Sequence, residues 1–138
     1  MDKRVVAEKL ESLRNCINRI IQKRPSTIEE LQDNLDLQDI LSVNLERAVQ
    51  LCVDIGTHII AQTDHPAPSS FGETFEVLEK MGILDAHTTT RMKKAVGFRN
   101  VAVHTYQQIN WEIVFHICHK DVDDFTRFAK QINGHFLA

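Results

Sequence analysis

The sequence predicts an all-α fold, a bundle of four or five helices, and three observations carry that prediction. Apolar residues recur at three-and-four spacing along most of the chain. No stretch alternates apolar and polar residues as a half-buried strand does. Five Gly and three Pro in 138 residues leave long segments free of breakers, and 43% hydrophobic residues are enough for a core. The length suits one domain, residues 1–138, and there are no repeats and no low-complexity segments.

Val6, Leu10, Leu13, Ile17, Ile20 and Ile21 form the stripe of a first helix, stopped at Arg24-Pro25 because proline cannot continue the hydrogen-bond ladder. Ser26 and Thr27 ahead of Glu29 and Glu30 are a capping-box pattern that opens a short helix. Leu37, Leu41, Leu45, Ala48, Cys52, Ile55 and Ile59 then mark a long helix to about Gln62. The stretch TDHPAPSS holds two of the three prolines and reads as a loop. Ser70, with Glu73 three residues on, caps a helix to Met81, and Gly82 is its stop. Asp85 opens the next helix, which runs into GFRNVAVHTY. Asn110 caps the last, whose stripe is Trp111, Val114, Phe115, Cys118, Val122, Phe125, Ala129 and Ile132, with Gly134 as its end.

Charge and cysteine content narrow the function. Charged residues are mixed in sign and the net charge is −3, so any polyanion site must be local. Cys16, Cys52 and Cys118 lie in apolar contexts without metal-ligand spacing, which fits a reducing, cytoplasmic location. The segment MDKRVVAEKL lacks the apolar stretch of a secretory signal, and no apolar run approaches the ~20 residues that span a bilayer, so no membrane role is expected. Phosphate-loop, dinucleotide-fold, nucleophile-elbow and HExxH zinc motifs are all absent.

Two histidine arrangements raise other chemistry. His116 and His119 sit three apart on the last helix, with only Asp123 at a matching offset, so a solvated helix face competes with a metal site; no metal and no cofactor is expected. Asp54 and His58 are one turn apart, either a polar pair near the core or a support for the site.

The stronger signal is a charge pattern. Between Asp85 and Glu112 there is no acidic residue, and the span holds Arg91, Lys93, Lys94 and Arg99. A cationic, acid-free run attracts phosphate, although a solvated cationic face has the same composition. Arg91, Lys93 and Lys94 are therefore candidate RNA-contacting residues. Within GFRNVAVHTY, Arg99 and Tyr106 share a helix face, as do Asn100 and His104. Arg99 and His104 stand about 140° apart around a straight helix. Either a break near Gly97 redirects them to one ligand, or two copies of the chain join Arg99 of one to His104 of the other.

FRNVAVHTY resembles the Arg-x(4–6)-His signature of the HEPN superfamily, and more narrowly the Arg-x4-His-x-Tyr form of HepT-type toxins. NLERAVQLCVDIGTHII, the proline-containing loop, FGETFEVLEKMGIL and RMKKAVGFRNVAVHTY follow in the same order, so the resemblance covers roughly residues 3–133. It implies a HEPN-type bundle that forms a homodimer with the motif at the dimer cleft. It further implies a metal-independent endoribonuclease, the toxin of a toxin–antitoxin pair. The implied partner is a minimal nucleotidyltransferase antitoxin (MntA-like) that places AMP on the motif tyrosine. The matching positions are Arg99, His104 and Tyr106, with Asn100 in the polar place after the arginine; Ala102 stands where a larger aliphatic residue is frequent. The chemistry is compatible. Histidine moves protons near neutral pH, so His104 suits the general acid and base, and the arginine fork of Arg99 suits the scissile phosphate. Asn100 then orients His104 or the RNA backbone, and attack by the 2′-hydroxyl leaves a 2′,3′-cyclic phosphate. The alternative is a non-catalytic HEPN module that binds substrate or nucleotide for a partner nucleotidyltransferase.

Overall fold

The first helix, α1, spans Lys3–Lys23 and buries Val6, Leu10, Leu13, Cys16, Ile17 and Ile20. The structure is a computed structural model that describes residues 3–104 and 109–136, with residues 100–104 described by backbone alone. Ile21, expected in the α1 stripe, is 44% exposed. It follows Ile20 directly and so points about 100° away from it. The short α2, Ile28–Asp33, is capped by Thr27, whose hydroxyl accepts from the Glu30 amide at 3.3 Å. Asn34 separates α2 from the long α3, Leu35–Ala61, because its side chain accepts from the Leu37 amide at 3.1 Å and restarts the helix. α3 runs along α1, and the stripe from Leu41 to Ile60 is buried there.

After the loop, Ser70 caps α4, Phe71–Lys80, by accepting from the Glu73 amide at 3.1 Å. α4 closes in a Schellman motif. The Ile83 amide donates to Leu78 at 3.0 Å and the Gly82 amide to Glu79 at 2.9 Å. Gly82 has φ +78°, which a residue with a Cβ adopts only under strain. Asp85 then caps α5, Ala86–His104, accepting from the Thr88 amide at 2.7 Å. Gln131 braces this cap from the far end of the chain, donating to Asp85 at 3.0 Å and to Thr88 at 2.9 Å.

The last rod departs from the single uniform helix expected. It consists of α6, Trp111–His116, a π-helical turn, Ile117–Asp121, and α7, Val122–Phe136. A π turn disturbs the regular backbone ladder. Here the Cys118 carbonyl accepts from Arg24 Nη1 at 3.0 Å, and His119 Nε2 donates to the Pro25 carbonyl at 2.7 Å. The segment after α1 is thereby stitched to the turn. Gly134 does not end α7. A glycine stop uses positive φ, and among the described residues only Gly82 has it.

The buried residues form one cluster that draws on every helix from α1 to α7. Phe75 and Phe128 meet edge to face at 5.9 Å and join α4 to α7. α3 and α4 approach most closely at Gly56, where an added Cβ would lie 2.6 Å from Thr74 Cγ2. The architecture is therefore an all-α bundle of five rods (α1, α3, α4, α5 and the α6–π–α7 rod) with the one-turn-and-a-half α2 beside them. Among the described residues no helix is long and apolar enough to cross a membrane.

Candidate active site

α5 carries the candidate site residues. Thr88, Thr89, Met92 and Val96 are the buried residues among its described side chains. Arg99 lies three residues beyond Val96 and seven beyond Met92, so it continues that inward stripe and is half-buried. Its guanidinium carbon sits 5.2 Å from the centre of the Phe71 ring, at the first position of α4. Its Nε is buried and reaches no acceptor among the described residues. The helix is unbroken through this region. Gly97 has no positive φ, and nothing lies within 4 Å of where its Cβ would be. The break near Gly97 is thus removed from the two alternatives. On continuous helix the His104 position starts about 140° around the axis and about 7.5 Å along it from Arg99. The side chains of Asn100 and His104, and all of Tyr106, lie outside the described residues.

The candidate basic residues of α5 are used in three different ways. Arg91 is 24% exposed and gives Nη2 to Asp121 at 2.8 Å and Nε to Asp124 at 3.0 Å. Asp124 is buried and also accepts from Arg127 at 3.0 Å. The hydrogen bond that Asp124 accepts, reinforced by the charges of Asp124 and Asp121, pushes the Arg91 guanidinium further above its ordinary value. Lys93 pairs with Glu76 of α4. Lys94 is exposed and has no ion-pair partner among the described residues. A cavity of about 50 Å³ lies beneath Arg91, Lys94 and Phe98, against Leu45, Val49 and Phe125. It has room for a water molecule or two and no more.

The Asp54–His58 pair does not form. Asp54 accepts from Gln50 Nε2 at 2.9 Å, and His58 Nε2 is buried without a hydrogen-bond partner among the described residues. A spacing of four brings both Gln50 and His58 within a turn of Asp54, and the glutamine takes the carboxylate. His116 and His119 also diverge. His116 Nε2 lies 3.7 Å from Asp121, whereas His119 donates to Pro25 and its ring leans on Phe115 at 4.4 Å. Among the described residues no group of three His, Cys, Asp or Glu is placed to hold a metal ion. All three thiols are buried. Burial pushes Cys118 up to about 12 and raises Cys16 and Cys52 as well, so none is a thiolate at neutral pH.

Phe71, Asp121, Asp124 and Gln131 matter to α5 and went unread in the sequence. Each lies far from its partner along the chain, and neither periodicity nor a motif signals such a pairing.

An all-α bundle in which one helix bears an arginine without a carboxylate partner among the described residues, then a histidine position five residues on, is the architecture of a HEPN-type protein. The model of the family described as ribonuclease HepT-like matches residues 7–132, and the chain belongs to that family. It is 34% identical over 130 residues to the mRNA nuclease HepT of Shewanella oneidensis, covering 94% of this chain and 97% of that one. It is 21% identical over 133 residues to the tRNA nuclease HepT of Aphanizomenon flos-aquae, covering 96% and 90%. Among solved structures, the tri-AMPylated Shewanella oneidensis HEPN toxin in complex with MNT antitoxin superposes with a TM-score of 0.87 at 32% identity, covering 94% of this chain and 97% of that chain.

Proposed function

We propose that this chain is the toxin of a toxin–antitoxin pair, an endoribonuclease that works without metal as a homodimer. The observation that carries the reading is Arg99. Of the two arginines on α5, Arg91 is neutralised by two carboxylates, while Arg99 is half-buried with its charge uncompensated among the described residues. A half-buried guanidinium whose Nε has no acceptor among the described residues suits a phosphodiester, whose two non-bridging oxygens match its fork.

Helix geometry supports the dimer. One straight α5 does not aim Arg99 and His104 at one phosphate, whereas two-fold symmetry brings each beside its counterpart from the other copy. Two histidines then supply a base for the 2′-hydroxyl and an acid for the departing 5′-oxygen. Two arginines offset the charge that grows on phosphorus. The electrons of the 2′-oxygen form the new bond to phosphorus as the bond to the 5′-oxygen breaks. The base keeps one proton and the acid delivers another, leaving a 2′,3′-cyclic phosphate and a 5′-hydroxyl. Asn100 orients His104 or the RNA backbone. Lys94 adds to the attractive field, and Arg91 and Lys93 add less because Asp121, Asp124 and Glu76 offset them.

Silencing comes from a minimal nucleotidyltransferase that joins AMP to the Tyr106 hydroxyl with release of pyrophosphate from ATP. The adduct brings bulk and negative charge into an anion site and repels RNA. The family membership and the AMP-bearing Shewanella oneidensis toxin support this reading. Overproducing the chain alone tests it: growth arrests, and Arg99→Ala or His104→Ala each removes the arrest without lowering the melting temperature. Arrest that survives both substitutions refutes the site. With the antitoxin and ATP, intact mass rises in steps of roughly 329 Da, the mass of one added AMP, and Tyr106→Phe abolishes the rise.

A further inference from the structure

We propose that Phe71 is a positioning residue for Arg99, holding the guanidinium by its aromatic face so that charge and donors stay free for the phosphate. The inference rests on Arg99 being the phosphate clamp and adds what sets the clamp.

Arg91 and Arg99 both lie on α5, and the fold handles them in opposite ways. Arg91 is fixed by Asp121 and Asp124, and its Nε and one Nη are occupied. Among the described residues no carboxylate fixes Arg99; its guanidinium carbon lies 5.2 Å from the Phe71 ring centre, inside the range of a cation–π contact. A ring face attracts a cation through its quadrupole and accepts no in-plane hydrogen bond in exchange. A carboxylate at the same place would orient the guanidinium too, but it would neutralise the charge and compete with the substrate. The buried Nε without an acceptor is the mark of this arrangement. A buried donor left unpaired is costly unless a ligand oxygen completes it.

Position 71 is suited to the task. Ser70 caps α4 immediately before it, so the first helical residue is held at a defined angle. α4 lies along α5, and Lys93 reaches back to Glu76, tying the two helices one turn further on. Phe75, one turn beyond Phe71, is fully buried against Phe128 and anchors α4 in the core. Phe71 therefore sits on a rigid mount that reaches the site arginine from a neighbouring helix.

The test replaces Phe71 in the full chain by 3,4,5-trifluorophenylalanine, by Trp and by Leu. Each is made with Arg99 intact and with Arg99→Ala. Cleavage of RNA and binding of a 2′-O-methyl oligonucleotide, which lacks the attacking hydroxyl, are both measured. Fluorines drain the ring face while nearly preserving its shape, so a role in packing alone is unaffected by them. With Arg99 intact, the trifluoro and Leu variants lose roughly three- to thirtyfold in cleavage, and Trp retains activity. In the Arg99→Ala background the same changes at position 71 have no further effect on oligonucleotide binding. Trifluoro and Leu variants that cleave like the parent, while Arg99→Ala is inactive, overturn the role of Phe71 and leave the clamp standing. An Arg99→Ala chain that binds and cleaves like the parent overturns the clamp itself. Should Leu prevent folding, the near-isosteric trifluoro variant decides.

Discussion

Replacing Arg91 by methionine separates a structural cation from a substrate-binding one. The substitution keeps most of the stem and removes the guanidinium. Asp124 is buried and loses one of its two arginines, and Asp121 is left with His116 3.7 Å away. A buried carboxylate stripped of its only partner costs about 3–5 kcal/mol, and an exposed pair about 0–1 kcal/mol. Arg127 remains on Asp124 at 3.0 Å, so the loss falls between, near 2 kcal/mol. For a chain of 138 residues the unfolding entropy near 60 °C is about 0.3 kcal/mol/K, so the melting temperature drops by about 7 °C. Circular dichroism at 222 nm reads this directly, with Lys94→Ala as the exposed control, expected within about 0.5 kcal/mol of the parent. Adding Asp124→Asn to the methionine variant costs less than the sum of the two single changes, because each has already broken the same bond. An Arg91→Met chain that melts with the parent refutes the argument that Arg91 is held for structure.

Gly56→Ala would ordinarily gain about 1 kcal/mol of helix propensity, but its Cβ meets Thr74 Cγ2 at 2.6 Å and Leu78 Cδ1 at 3.0 Å. Thr74 is buried and cannot retreat, so the balance is a loss of about 1–2 kcal/mol by thermal melting, and a gain contradicts the close α3–α4 packing. Cys16, Cys52 and Cys118 resist iodoacetamide at pH 8 in the folded chain and react after denaturation; rapid labelling of the native protein contradicts their burial. Cys118 also gives the fold an alkaline limit. Its thiol is raised by burial from 9.0 to about 12, so the stabilisation is full below pH 9 and is lost as pH rises toward 12, on the order of 4 kcal/mol. Urea unfolding across that range falls less steeply for Cys118→Ala than for the parent, and equal slopes contradict the assignment.

Local chemistry was legible in the sequence where it acts over a few residues. Thr27, Ser70, Asp85 and Asn110 each cap the helix that their side chains predict, and Gly82 has the positive φ of a helix stop. The break in the last helix that the sequence does not show depends on distant partners. The π turn at Ile117–Asp121 is stabilised by Arg24 and by the Pro25 carbonyl, from the opposite end of the chain. The acid-free run on α5 is cationic by composition, but Arg91 and Lys93 within it are neutralised by Glu76, Asp121 and Asp124 from elsewhere in the chain. Composition within one segment carries no trace of charges that folding brings to it. The same limit hid Phe71. Asp54 and His58 failed for a different reason, since helical spacing permits several partners and Gln50 bonded Asp54 instead. The 140° separation of Arg99 and His104 was readable from number alone, and the continuous helix through Gly97 supports the proposal of a two-copy site.

The most direct test of the central claim is the chemistry of the cut RNA ends. The purified chain, confirmed by mass to be free of AMP, is incubated with an end-labelled RNA in excess EDTA. The account predicts cleavage with 2′,3′-cyclic phosphate ends, lost in both Arg99→Ala and His104→Ala. No cleavage in EDTA that returns with added Mg²⁺, ends bearing a 3′-hydroxyl, or full activity in the His104→Ala chain would contradict it.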